Sequence, residues 1–198
     1  MTDVSVAYRL APEHPAPAPV ADGCVALSAL LMAAAEWDDL EGLILCGDSA
    51  GAAIALAVES RADMPARARI GGVCSFFGGL GLFETPSMRE TGCRADGLDE
   101  ACVRRMWGLA NGAEADSPYA IEALARPSGA PVYLLAGERY PLRDDTLGLA
   151  SAYRACGRRY DLAIAEGVGH GFLHGAGAPG AAPEAMRKAG AWIRARCA

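Results

Sequence analysis

Runs and alternations of apolar residues divide the chain into short strands and longer helices. Residues 4–9 alternate and are rich in β-branched and aromatic side chains, which predicts a strand. Residues 11–19, APEHPAPAP, contain four prolines and predict an extended connector. Residues 22–36 put small and apolar side chains at helical spacing, with Asp22 near the start. The run Leu43-Ile44-Leu45-Cys46 reads as a buried parallel strand, and the alanine-rich stretch 49–59 as the helix after it. Residues 70–76 predict the next strand, entered through a polar loop that includes Pro65. The texture then changes. Over 78–127, glycines and short polar turns surround one helix, 99–109, an excursion that is either a small cap or a long active-site loop. Alternation resumes with a strand at 131–137, a helix at 143–156, a strand at 160–166 and a last helix at 184–196 carrying Trp192 and Ile193. Residues 175–183 read as a flexible Gly/Ala/Pro loop. Strands alternating with helices predict an α/β fold: about five mostly parallel strands with helices on both faces.

The junction between the strand at 43–46 and its helix carries the most information. Gly47-Asp48-Ser49-Ala50-Gly51 has the form G-x-S-x-G, and strand, G-x-S-x-G, helix is the context of a nucleophile elbow. The turn is tight, so side chains at 47 and 51 are expected to collide with the flanking strand and helix. Ser49 is then lifted above the sheet at the positive end of a helix dipole, and the Ala50 N–H points to where an oxyanion would form. The competing reading is an ordinary glycine turn with a capping serine.

Composition narrows the field. The 198 residues suit one domain with a sizeable core, and a formal net charge of −6 without any basic run argues against a nucleic-acid surface. Apolar stretches are interrupted well short of a membrane span, and the first residues lack signal-peptide architecture. Seven cysteines form no C-x-x-C pair and no Cys/His cluster. This predicts a reducing cytoplasm and no metal or other cofactor, with Cys46 and Cys74 as small core residues.

A serine nucleophile needs a base and an acid, in the order Ser, acid, His. Of three histidines, His170 lies in a glycine-rich loop directly after the last predicted sheet strand, where the base of such a sheet belongs. His14, between prolines, reads as a turn residue, and His174 as surface or pocket lining. The acid should follow the strand at 131–137. Glu138 stands at the strand's end and ranks first; Asp144 and Asp145 look like residues that favour a helix N-terminus. Phe76, Phe77, Trp107, Leu142 and Phe172 are candidate walls for an acyl chain or plain core, and Asp48, Trp107 and Phe172 are assigned to substrate binding.

Together these segments resemble the hormone-sensitive-lipase-like family of α/β-hydrolases, the bacterial acetyl-esterase-like branch in particular. The matching stretches are YRLAPEHP at 8–15, GDSAG at 47–51, Ser87-Met88-Arg89, Asp116-Ser117-Pro118-Tyr119, Pro141-Leu142-Arg143-Asp144-Asp145 and His170-Gly171-Phe172-Leu173. The resemblance implies Ser49 as nucleophile, His170 as base, and hydrolysis of short-chain carboxylic esters through an acyl-enzyme.

Two departures qualify it. The family carries Asp, its triad acid, immediately before Pro-Leu-Arg-Asp; here that position is Tyr140. The family also has roughly a hundred residues ahead of YRLAPEHP, by that resemblance, which supply the first strands and a His-Gly-Gly-Gly loop that completes the oxyanion hole. No such loop occurs here. The expected molecule is therefore a truncated α/β-hydrolase whose open sheet edge favours a homodimer. Two functions stand: an impaired serine esterase, or a catalytically inactive esterase-like binding protein, relic or fragment.

Overall fold

The computed structural model describes residues 3–34, 42–93, 98–112, 116–174 and 180–197. Its centre is one parallel sheet of four strands in sequential order: β1 (Leu43–Asp48), β2 (Ile70–Phe76), β3 (Val132–Gly137) and β4 (Tyr160–Ala165). Helices α1 (Ala18–Ala34), α2 (Ala50–Arg61) and α3 (Met64–Arg69) flank the first crossover; α4 (Pro86–Thr91), α5 (Glu100–Asn111) and α6 (Ile121–Leu124) lie between β2 and β3. After β3 come α7 (Arg143–Cys156) and, beyond β4, α8 (Ala181–Arg194).

Period-two alternation sends successive residues of β3 to opposite faces. Val132 and Leu134 join Val73, Leu56, Val20, Leu149 and Tyr153 beneath α1, α2 and α7. Tyr133 and Leu135 join Cys74, Ala185, Ala189 and Trp192 beneath α8. The Trp192 ring packs on Tyr133 at 5.6 Å. It also lies over Gly72, where a Cβ would stand 2.5 Å from the indole.

The sheet has four strands where five were expected. Residues 4–9 pair with nothing among the described residues and form no strand. A strand exists only through a neighbour, and this segment has none in the described sheet. Val4 and Val6 are left exposed, and β1 keeps an open outer edge, so Cys46, expected in the core, faces solvent. The segment is held instead by Arg9, whose backbone N–H and guanidinium donate to Asp22 at 2.9 and 2.7 Å. That contact holds the Asp22 carboxyl at about 2.

Residues 11–19 turn rather than extend, and α1 starts at Ala18, before the predicted 22. Residues 35 and 36 of the predicted helix lie outside the described residues, as do 175–179 of the predicted loop. The polar loop around Pro65 is helix α3, whose N-cap Asp63 accepts from the Ala66 N–H. An Asp followed by Pro in the first turn is a helix-start pattern that reads easily as loop. Short α4 is capped likewise by Thr85.

Two buried acids tie distant parts together. Glu59 and Arg158, each with its side chain 1% exposed, pair at 2.8 Å; Glu59 also accepts from the Ala130 N–H and Arg158 donates to the Ala130 carbonyl. Asp145, fully buried, accepts through Oδ1 from the N–H groups of Leu80 and Leu82 and leaves Oδ2 unpartnered. Burial outweighs those hydrogen bonds and pushes the Asp145 carboxyl up to about 6.

A raised carboxyl pKa means that the folded chain keeps a proton the unfolded chain has lost. This contribution is fully present below pH 3.8 and is lost as pH rises through about 6. Asp145→Asn retains the Oδ1 acceptor and removes the titration. The stability difference between wild type and this variant, from urea midpoints at pH 4 and pH 7, is expected to change by about 2 kcal/mol in the variant's favour. A constant difference would refute the assignment.

Candidate active site

The site lies at the carboxyl ends of the strands, where loops of a parallel sheet converge. β1 runs directly into Ser49, whose N–H donates to the Phe76 carbonyl at the end of β2 (2.9 Å). Ser49 adopts φ 50° and ψ −119°, a conformation that L residues avoid. Its side chain makes no capping hydrogen bond to α2, so a capping role does not explain the serine. Gly47 is required by contact: a Cβ there would stand 2.1 Å from the Gly51 carbonyl oxygen. Gly51 is not, contrary to expectation, since a Cβ there would meet only Asp48 Oδ1 at 3.9 Å. Ala50 opens α2, which buries Ala52 through Ser60 against the sheet.

His170 follows β4 in a loop that folds back over the same end. Its ring stacks on Tyr140 (centroids 5.0 Å apart, 19° between planes) and meets the edge of Phe77 at 5.2 Å. Phe77 directly follows the residue that holds the Ser49 N–H. Asp48, next to Ser49, is close enough to act on His170 electrostatically. Desolvation lowers the His170 pKa, the Asp48 carboxylate raises it and His174 lowers it again. The net shift is downward, so the imidazole is neutral near pH 7.

The partner of His170 is missing. Nδ1 is buried and makes no hydrogen bond among the described residues. Each candidate acid is engaged elsewhere. Glu138, exposed, accepts from the Gly167 N–H at 2.8 Å. Asp144 accepts from the Ser87 N–H at 2.9 Å, while Ser87 Oγ donates to the Pro141 carbonyl. Asp145 holds Leu80 and Leu82. Tyr140, fully buried, donates its hydroxyl to the Phe77 carbonyl at 2.7 Å. Burial and the nearby Asp145 carboxylate push that phenol well above its ordinary range.

One contact was not foreseen. His174, in a short 3-10 turn (Phe172–His174), places Nε2 2.7 Å from Asp48 Oδ2. It joins the histidine loop to the elbow. No motif in the sequence hints at it, because the two residues are separated by 126 positions. Of the substrate-binding candidates, Asp48 meets the turn that also holds Phe172. Phe172 is buried and packs on Phe77 at 5.9 Å. Trp107 packs on Phe83 and Tyr119. Among the described residues, no cluster of His, Cys, Asp and Glu could hold a metal ion, and no helix is long and apolar enough to cross a membrane.

A strained serine between a parallel strand and a helix, under a histidine loop that follows the last strand, is the arrangement of a hydrolase built on this sheet. The chain belongs to the alpha/beta hydrolase fold family, which it matches over residues 1–174. It is 31% identical to Esterase LipI of Mycobacterium tuberculosis (strain ATCC 25618 / H37Rv) over 201 residues, covering 93% of this chain and 60% of that protein. Among solved structures, an esterase of Pyrobaculum calidifontis superposes with a TM-score of 0.80 at 27% identity, over 95% of this chain and 64% of that one. An esterase from the bacterial hormone-sensitive lipase (HSL) family does so with a TM-score of 0.83 at 25% identity, over 97% and 65%. The chain thus spans less than two thirds of the length of these relatives.

The contacts at the two elbow glycines separate their substitutions. Gly47→Ala forces a side chain into backbone and is expected to cost about 3 kcal/mol or more, or to abolish soluble expression. Gly51→Ala is expected to stay within about 1 kcal/mol of wild type and to gain helix propensity. Chemical denaturation of the pair checks both; equal losses would contradict the geometry at Gly51.

Proposed function

We propose that the chain is a serine carboxylesterase for short-chain esters, running with a dyad in place of a triad. Ser49 Oγ attacks the ester carbonyl, His170 Nε2 takes its proton and later returns it to the leaving alcohol, and the Ala50 N–H receives the oxyanion. The observation that carries this reading is Ser49 itself. Its backbone is strained, its hydroxyl is not spent on capping, and a neutral imidazole is held at the same end of the sheet.

The same geometry supports a slow enzyme. A neutral imidazole acts as base through Nε2 only when Nδ1 keeps the proton, and the triad acid normally secures that tautomer. Nδ1 of His170 has no acceptor among the described residues, and Tyr140 cannot serve because its proton is committed to the Phe77 carbonyl. Loss of the acid costs about 10⁴-fold in the best-studied triad. Residues 78–127, with α4, α5 and α6, are the proposed cap, and the cytoplasm the proposed location. The open edge of β1, beside exposed Val4, Val6 and Leu10, is the proposed contact of a homodimer.

The second reading, a non-catalytic relic, is favoured by the orphaned Nδ1, and one set of measurements separates the two. Slow hydrolysis of p-nitrophenyl acetate and labelling by a fluorophosphonate are expected, and both should vanish in Ser49→Ala; equal background in the two proteins would leave only the relic. Tyr140→Asp offers Nδ1 a carboxylate and is expected to raise kcat at least tenfold. It does so despite a stability loss of about 3 kcal/mol from the deleted ring. A kcat that stays flat in folded Tyr140→Asp would show that the missing acid is not what limits the dyad. Sedimentation at high micromolar concentration tests the dimer, which a strict monomer would exclude.

A further inference from the structure

Two cysteines face each other across β1 and β2, and ester hydrolysis uses neither. Cys46 and Cys74 are register partners in the parallel ladder, so both side chains leave the same face of the sheet. The two thiols are near enough for each to shift the ionisation of the other. Cys74 is fully buried, whereas Cys46 is exposed on the strand that pairs with β2 alone. Paired strands stand about 4.8 Å apart, inside the Cα separation of about 4.4–6.8 Å found in disulfides.

We propose that Cys46 is an oxidative modification site and that Cys74 resolves the modified Cys46 into a disulfide across β1 and β2. The co-reactant is a low-molecular-weight disulfide, of which glutathione disulfide is the probe. The Cys46 thiolate attacks one sulfur of that molecule, its S–S bond breaks, and one half leaves as a thiolate. Cys74 then attacks Sγ of Cys46 in the mixed disulfide and expels the second half. The two protons lost by the cysteines end on the two released thiols; the protein dithiol is oxidised by two electrons and the small disulfide reduced by two.

The order of the steps follows from the asymmetry of the pair. Only Cys46 can be reached from solvent. The interaction with neighbouring Cys74 favours the Cys46 thiolate and lowers its pKa. Cys74 is raised by the same contact and by burial, so it stays a thiol while Cys46 is free. Capping Cys46 removes the neighbouring anion, and the first step thereby releases the second.

The reduced chain is incubated with glutathione disulfide, remaining thiols are alkylated, and peptides are read by mass spectrometry. A cross-linked pair of peptides joining Cys46 to Cys74 is expected. Cys74→Ser should leave glutathione on Cys46, and Cys46→Ser should leave Cys74 as an unmodified thiol. Glutathione retained on Cys46 of the wild type, a bond from Cys46 to Cys197 or to a second chain, or an unmodified Cys46 whatever happens at exposed Cys93, would each overturn the proposal. None of these readouts involves ester hydrolysis, so the result stands apart from whether the chain is an active esterase.

Discussion

The carbonyl of Gly51 occupies the space that a side chain at position 47 would need, and the geometry of the catalytic end follows from that approach. Because strand and helix meet so closely, the single residue at the apex has to turn through a backbone conformation that costs about 1–3 kcal/mol. Ser49 accepts that cost at φ 50°. The strain is sustained by what lies on either side. Nine consecutive residues of α2 are buried against the sheet, and the Ser49 N–H is anchored on the last residue of β2. The Ser49 side chain makes no capping hydrogen bond to the helix it precedes, so capping gives no account of the serine.

His170, the proposed base, is supported in an unusual way. In a triad a carboxylate fixes the imidazole by a charged hydrogen bond. Here an aromatic face does so by stacking, and a second ring closes the edge. Aromatic contacts set a plane but do not choose which nitrogen carries the proton. The bridge from His174 to Asp48 adds a tether between the loop and the elbow without touching Nδ1. Position and protonation, which one carboxylate normally controls together, are therefore controlled separately in this molecule, and only position is secured.

Much of the sheet was legible because its signals are local. The run before GDSAG, the all-apolar β3 and the amphipathic α7 declare themselves by period and by flanking glycines, and β2 and α7 have the predicted bounds. The failures share one cause, which is dependence on something outside the segment. Residues 4–9 carry every strand preference and form none, since a ladder needs a partner. Cys46 has the sequence context of a core residue and is exposed because its strand is an edge. At the site, Ser49 and His170 could be named from motif and order. The engagements of Glu138 with Gly167, and of Asp144 with Ser87, could not, because they depend on which backbone N–H groups the loops leave unpaired.

At the far end of the sheet, the Glu59–Arg158 pair joins positions 99 apart in sequence and seals the Ala130 backbone between them. Neither charge can be bared singly without a large penalty in so dry a setting. Fraying of β4 must therefore drag α2 with it, and partial opening from that side becomes rare. Amide exchange in the two elements should be governed by one shared event, leaving the catalytic rim as the region where the fold can breathe independently.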